Sequence, residues 1–432
     1  MCWRAPKAPS TRRRARRCAR PSSPRTTDHL CTTVRRRGGL SPPRRPHMQA
    51  DLERALIRRA LALIDSGGTE AGEPARSPVE RYLDPDRHRR EVERIFRRYP
   101  LAVCPSGALT QAGDTHALDV AGMPLLLARG EDGEVRAFLN ACRHRGARLQ
   151  APGAGQQRTF VCPYHSWSYR LDGTLRGRPH ANGFPHAPAH ECSLVRVPAS
   201  EALGLIWVIP RGVEEGESPE LDLSRWLGAF ANDLRGWGYD RWLPFHRREF
   251  ANAANWKIPF EGNLETYHFQ YAHRDSIAGL FHDNLLIADQ DGLHHRLVLP
   301  KRSMASLREL PESEWRIGPH ANIIYCFFPA TLILHEGDHA NAFTVLPEAV
   351  DRSRVLGTTL IPELPATEKS RGYWEKNVAS FWGALDEDFA LGVSQQSTMA
   401  SGANRELLFG RTEWCSAKFH EDVERLIGVG LG

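Results

Sequence analysis

No stretch of the 432 residues approaches the roughly 18 apolar residues of a membrane span, so no membrane partner is expected. A secretory signal is also missing, because no apolar core comes after the basic run at the start. Cysteine is sparse. After Met48 there are only Cys104, Cys142, Cys162, Cys192, Cys326 and Cys415, too few for a disulfide scaffold, and the expected compartment is the cytoplasm. No Gly-x-Gly-x-x-Gly comes after a strand pattern, so the chain is not expected to take electrons from NAD(P)H by itself.

Acid is scarce in one place only. Residues 1–47 hold 14 Lys+Arg and a single acid, Asp28, whereas residues 48–432 hold 43 Lys+Arg against 50 acids. The net +6 is therefore a +13 tail on a −7 body. A mildly acidic body gives no electrostatic case for nucleic acid. With 41% hydrophobic and 25% charged residues it reads as globular. The tail is Arg, Pro and Ser without apolar periodicity, and it reads as disordered. A transit peptide and a nucleic-acid arm are weighed against upstream sequence read through to Met48. The last is the expectation, with a mature protein beginning near Met48.

Within the body, Leu52-Leu56-Ile57-Ala60-Leu61-Leu63-Ile64 has helical spacing, and Val79–Tyr99 reads as a charged amphipathic helix. Residues 48–100 are thus expected to be helices packing on the C-terminal domain. From 101 to 211 the texture changes to short apolar runs separated by turns such as Glu131-Asp132-Gly133, which predicts a small all-β unit. Residues 212–432 mix both types. Leu223–Leu234 and Glu261–His273 read as helices, Glu368–Thr398 as one or two long ones. Ile323–Phe328, Thr331–Leu334, Ala342–Leu346 and Val355–Ile361 read as an antiparallel sheet. The expected fold class is α+β.

Two constellations carry chemistry. Cys142-Arg143-His144 and Cys162-Pro163-Tyr164-His165, with 17 residues between them, each offer one thiolate and one imidazole on a tight turn. Two such loops face to face suit a tetrahedral zinc, or a [2Fe–2S] cluster held by two Cys on one iron and two His on the other. The second constellation is Glu265, His268 and His273, from which two His and an acid could form a facial triad with open iron positions. On a regular helix His268 and His273 point about 140° apart, so the helix must bend or end between them; Glu265 and His268 share a face.

The run Cys162-Pro163-Tyr164-His165-Ser166-Trp167 closely resembles the Rieske family, and its pairing with the downstream His-x₄-His resembles the large (α) subunits of Rieske non-haem iron oxygenases, from Val79 to the C-terminus. The resemblance implies an all-β Rieske domain carrying a [2Fe–2S] cluster on Cys142, His144, Cys162 and His165. It also implies a catalytic domain with a mononuclear Fe(II) on His268, His273 and Asp388, the last chosen because Glu387-Asp388 with Gln396 matches the family pattern; Asp386 and Glu387 are its neighbours. Glu265 is then the bridge between metal sites. The same likeness implies a homotrimer, a separate NAD(P)H reductase with or without a ferredoxin, and O₂ with a small organic substrate. Glu at the bridge resembles the branch acting on choline-, betaine- and carnitine-like compounds, and the chemistry implied is hydroxylation, dihydroxylation or oxidative demethylation. Trp256, Tyr267, Phe269, Tyr271 and Phe281 are candidates to line the pocket for a flat ring or a quaternary ammonium. His246, His282, His294, His295, His335 and His339, with Cys192, Cys326 and Cys415, are assigned to packing or surface. A Rieske electron carrier without oxygenase activity and a zinc-stabilised binding protein are the alternatives.

Overall fold

The computed structural model describes residues 48–428, so the expectation for residues 1–47 falls outside it. The periodic run after Met48 forms the helix Ala50–Ser66, which stops at Gly67, where a left-handed φ of 62° lets the chain turn back on its own last carbonyls. Val79–Tyr99 is not one helix. Pro85 cannot continue the turn Glu80–Leu83, so Asp84 becomes the cap of a new helix Pro85–Glu91, its carboxylate accepting the Asp86 N–H, and a π-turn Val92–Phe96 comes next.

The β-rich part begins with strand Leu101–Pro105, which joins Ala199–Ala202 and Leu205–Val208 in a three-stranded sheet. Next to it is a five-stranded antiparallel sheet in the spatial order Arg196–Val197, Val135–Leu139, Met123–Arg129, Asp114–Val120, Gly153–Gln156. A small meander of Phe160–Val161, Ser168–Tyr169 and Leu175–Gly177 completes it. Phe138, Phe160, Trp167 and Tyr169 form a separate apolar cluster with Cys142 and Cys162.

Downstream lies a seven-stranded antiparallel sheet: Leu243–Asn252, Arg352–Ile361, Ala340–Ala349, Thr331–His335, Ala321–Phe327, His294–Pro300 and Ile287–Asp291, in that order. Four of these strands match the sequence expectation. The three flanking ones carry too many charged and His residues to alternate cleanly. Ala321–Phe327 is buried at every position because both faces are covered. Ile323, Tyr325 and Phe327 pack with Leu56 and Ile57 of the first helix on one side. Ile324 and Cys326 pack with Phe381 and Phe419 on the other. Glu368–Met399 is a single 32-residue helix, started by Thr367, whose hydroxyl accepts the Ser370 N–H. The expected helix Leu223–Leu234 is split by Gly228 at φ 58°.

A wholly buried charge cluster ties the N-terminal helices to the strand-to-turn segment that precedes His268. Lys257 donates to both carboxylate oxygens of Glu91 at 2.9 and 2.8 Å, with neither side chain exposed. Trp256 Nε1 (2.8 Å) and Arg87 Nε (2.9 Å) donate to the same carboxylate. Although burial works against the charge, Lys257 and Arg87 hold the Glu91 carboxyl below the usual range. Removing one partner strands the other in an apolar interior. Lys257→Met is therefore expected to cost about 3–5 kcal/mol in denaturant unfolding. Adding Glu91→Gln should recover most of it; equal loss in both variants would contradict the coupling.

Candidate functional site

The first site is two loops of the same construction. In each, the Cys N–H donates to the carbonyl five residues on, Cys142 to Ala147 and Cys162 to Trp167, both at 2.8 Å. The residue four on donates back to the Cys carbonyl, Gly146 at 2.8 Å and Ser166 at 3.0 Å. Closing so small a ring needs a left-handed residue at that fourth place, and Gly146 (φ 75°) and Ser166 (φ 57°) supply it. The paired turns leave both cysteines buried, 3% and 2% exposed, and set the His144 and His165 rings 4.6 Å apart. Trp167 stacks on His144 at 5.0 Å, and the Tyr169 hydroxyl sits 3.2 Å from Cys142 Sγ. Nδ1 of His144 and Nδ1 of His165 are both buried without a hydrogen-bond partner. Burial, then the charge of His165 and Arg145, lowers the pKa of His144 and favours the neutral imidazole that can ligate a metal. Two buried thiols and two orphaned ring nitrogens are the donor set of a Cys₂His₂ cluster.

The second site depends on a helix that does not persist. The expected helix Glu261–His273 is broken: Lys257–Glu261 ends, and only the single turn Phe269–Ala272 comes after it, flanked by His268 and His273. His273 has already left helical geometry at φ −103°, ψ 22°. That early end brings the two imidazoles to one point, with ring centroids 5.1 Å apart. The long helix delivers Asp388 opposite them: Oδ1 lies 3.1 Å from His273 Nε2 and 3.6 Å from His268 Nε2. Ligand atoms of all three converge within 4.8 Å, and His268 Nε2 has no hydrogen-bond partner.

Successive helical residues diverge by about 100°, so the three adjacent acids do different things. Asp386 pairs with Arg248 at 2.8 Å, on the outside. Glu387 accepts from His273 Nδ1 and from Ser276 Oγ, each at 2.7 Å, and fixes the tautomer that leaves Nε2 facing Asp388. Sequence reasoning had Glu387 only as a neighbour of Asp388. Glu265 plays the same part for His268 Nδ1, and also accepts the N–H groups of Tyr267 and His268. Among the described residues no hydrogen bond joins Glu265 to His165. Gln396, the remaining residue of the motif, accepts the Asn255 N–H at 2.8 Å and so ties the long helix to the segment leading into the site. Burial opposes charging His268 and His273, yet the surrounding carboxylates raise both. Three acids around two imidazoles make a site that demands a cation, and its two-His, one-carboxylate donors suit Fe(II) with open positions.

A cavity of about 180 Å³ opens on this site, below the ~300–1,000 Å³ of drug-sized pockets, so its ligand is small. Of the aromatics expected there, only Phe269 and Phe281 line it, joined by Phe381, which was not foreseen. Trp256 is fully buried on Glu91, while Tyr267 and Tyr271 are exposed, because the shortened helix turns them outward. His339, assigned to packing, also lines it, with Glu336 and Lys301. Glu336 and His339 share one turn between Thr331–His335 and Ala340–Ala349, whereas Lys301 comes from the end of His294–Pro300. A larger cavity of about 400 Å³, between Ala102–Pro105 and Leu356–Thr358, contains none of the site residues.

Two family descriptions match the chain: the Rieske [2Fe–2S] domain over residues 100–193, and the ring-hydroxylating alpha subunit catalytic domain over residues 239–428. The chain belongs to the alpha subunits of the Rieske non-haem iron oxygenases, with a cluster domain and a mononuclear-iron catalytic domain. Among named relatives, the chloroplastic choline monooxygenase of Spinacia oleracea is 32% identical over 200 residues, 46% of this chain and 45% of that enzyme. The glycine betaine monooxygenase oxygenase subunit of Chromohalobacter salexigens is 30% identical over 205 residues, 47% of this chain and 44% of that one. The matched region thus spans less than half the length of these curated relatives. In fold, a quaternary ammonium Rieske monooxygenase solved with L-carnitine superimposes with a TM-score of 0.68 at 20% identity, covering 81% of this chain and 95% of that one.

The geometry separates the neighbouring acids experimentally. Asp388→Ala is expected to lose the mononuclear iron and keep the cluster absorption, whereas Asp386→Ala should keep both, by metal analysis of the purified variants. Retention of all iron in Asp388→Ala would contradict the assignment.

Proposed function

We propose that this chain is the terminal oxygenase of a multicomponent system, using O₂ to hydroxylate or oxidatively demethylate a small methylammonium-type substrate. The single observation that carries the reading is the convergence of His268, His273 and Asp388 beside a small cavity, in a chain that also holds the paired Cys–His loops. In this reading Cys142, His144, Cys162 and His165 hold the cluster, and His268, His273 and Asp388 hold the iron. When bound, the cluster stores an electron and the iron offers the open positions at which O₂ is activated. The protein's own part is placement. Glu265 and Glu387 hold the two imidazoles in register, and Phe269, Phe281 and Phe381 exclude water. An aromatic-ring substrate is the alternative within the same family, but the relatives from Spinacia and Chromohalobacter act on choline and glycine betaine.

The assembly is proposed as a homotrimer served by a separate reductase, with or without a ferredoxin. Tyr164, 59% exposed beside His165, leaves the cluster tip open to a neighbour, and among the described residues Glu265 makes no bond to His165 of its own chain. Glu265 then bridges to the cluster of an adjacent copy. The division at residues 100 and 211 into N-terminal helices, cluster domain and catalytic domain belongs to the same proposal, as does a location in the cytoplasm. No helix among the described residues is long and apolar enough to cross a membrane.

Turnover with a surrogate reductase, measured as O₂ uptake and formaldehyde release from trimethylammonium compounds, tests the activity. Glu265→Ala should leave the visible cluster spectrum intact and lower turnover about 10–100-fold or more. Full activity in that variant would overturn the bridge.

A further inference from the structure

The larger cavity, of about 400 Å³, lies between the β-rich part and the seven-stranded sheet. Strands Leu101–Pro105 and Asp114–Val120 wall it on one side, and Leu243–Asn252, Ala340–Ala349 and Arg352–Ile361 on the other. Its volume falls within the ~300–1,000 Å³ of small-molecule pockets. Much of its lining is apolar, with Leu118, Leu205 and Phe343 all buried. Two polar groups in that lining have nothing bonded to them. His116 is only 9% exposed, and its Nδ1 is fully buried without a hydrogen-bond partner. Among the described residues its other ring nitrogen has none either. A buried imidazole left in this way is costly unless a ligand completes it.

Arg247 is the second group, exposed at the mouth. Side chains alternate along Leu243–Asn252: His246, Arg248 and Phe250 approach Trp382 of the long helix, so Arg247 and Glu249 take the opposite face. Arg354 holds Glu249 at 2.9 Å and Asp386 holds Arg248 at 2.8 Å, whereas Arg247 forms no ion pair among the described residues. Burial first, and then the Arg247 charge, lowers the pKa of His116 against the pull of Glu249, so the ring is neutral at pH 7. The other polar groups of the lining are accounted for. The hydroxyls of Thr344 and Thr358 donate to the carbonyls of Ala102 and His246. Burial pushes the Cys104 thiol up to about 11, so it is no nucleophile. What remains is one guanidinium and one imidazole beside an apolar wall.

We propose that this cavity binds a small apolar carboxylic acid as its anion, with the carboxylate on Arg247 and His116 and the hydrocarbon body against Leu118, Leu205 and Phe343. It is a second ligand site, independent of the oxygenase reading, because no residue of either metal centre lines it. His116 belongs to the five-stranded sheet and Arg247 to the seven-stranded one, so the ligand braces the junction between them.

The probes are 3-phenylpropionate and 3-phenylpropan-1-ol, which differ only at the charged end. Dissociation constants are measured by calorimetry on the anaerobic iron-loaded protein. Wild type is expected to bind the acid at least about 10-fold more tightly than the alcohol, as one charge-assisted hydrogen bond gives. Arg247→Gln should remove that preference and Arg247→Lys should keep most of it. Ala154 is exposed, lines the cavity and lies directly across from His116 in the strand pair. Ala154→Trp should therefore close the mouth and abolish binding of both probes, with cluster absorption and iron content unchanged. Undiminished binding in Ala154→Trp would place the probes elsewhere and overturn the inference. So would no preference for the acid in wild type, or equal weakening of acid and alcohol by Arg247→Gln.

Discussion

A helix that breaks off at Glu261 instead of running through His273 is the constraint on which the catalytic half depends. Were Glu261–His273 regular, His268 and His273 would diverge and no carboxylate could face both. The chain instead stops at Glu261, restarts for the four residues Phe269–Ala272, and leaves helical geometry at His273. The segment leading into this broken stretch is held from both sides. Lys257 and Trp256 are anchored on the buried Glu91, and the Asn255 N–H is held by Gln396 of the long helix. That helix carries Asp388 two turns earlier, so one rigid element both fixes the approach to the site and supplies its acid.

The cluster loops solve a similar problem by repetition. The same closing bonds, with a left-handed residue at the same place, gather two thiols and two imidazoles beside one apolar cluster. In each centre the groups that orient the donors lie just outside the donor set: Tyr169 and Trp167 in one, Glu265 and Glu387 in the other.

Much of this was legible in the sequence, and what was not has a physical cause. The α+β class, the four central strands and the two His-containing motifs were visible because each is local: alternating apolar residues, or ligands within five positions on a turn. The break in Val79–Tyr99 was signalled by Pro85 and the one in Leu223–Leu234 by Gly228, but an amphipathic pattern runs through both. Glu387 was named only as a neighbour of Asp388, because its contact depends on a 100° rotation against a partner more than a hundred residues away. Tyr267 and Tyr271 were placed in the pocket by proximity in sequence, which a shortened helix does not honour. Lys301 has no sequence relation to Glu336 and His339, which share one turn. The three meet only because strands His294–Pro300 and Thr331–His335 lie on either side of Ala321–Phe327 in one sheet.

The central claim is that one chain holds two different iron centres, one in the paired loops and one at the broken helix. Iron and acid-labile sulfide, counted together on protein purified without chelator, test it most directly. About three iron and two sulfide per chain are predicted, the sum of a [2Fe–2S] cluster and one mononuclear site. About two iron and two sulfide would leave His268, His273 and Asp388 without a metal, and zinc without sulfide would contradict both centres.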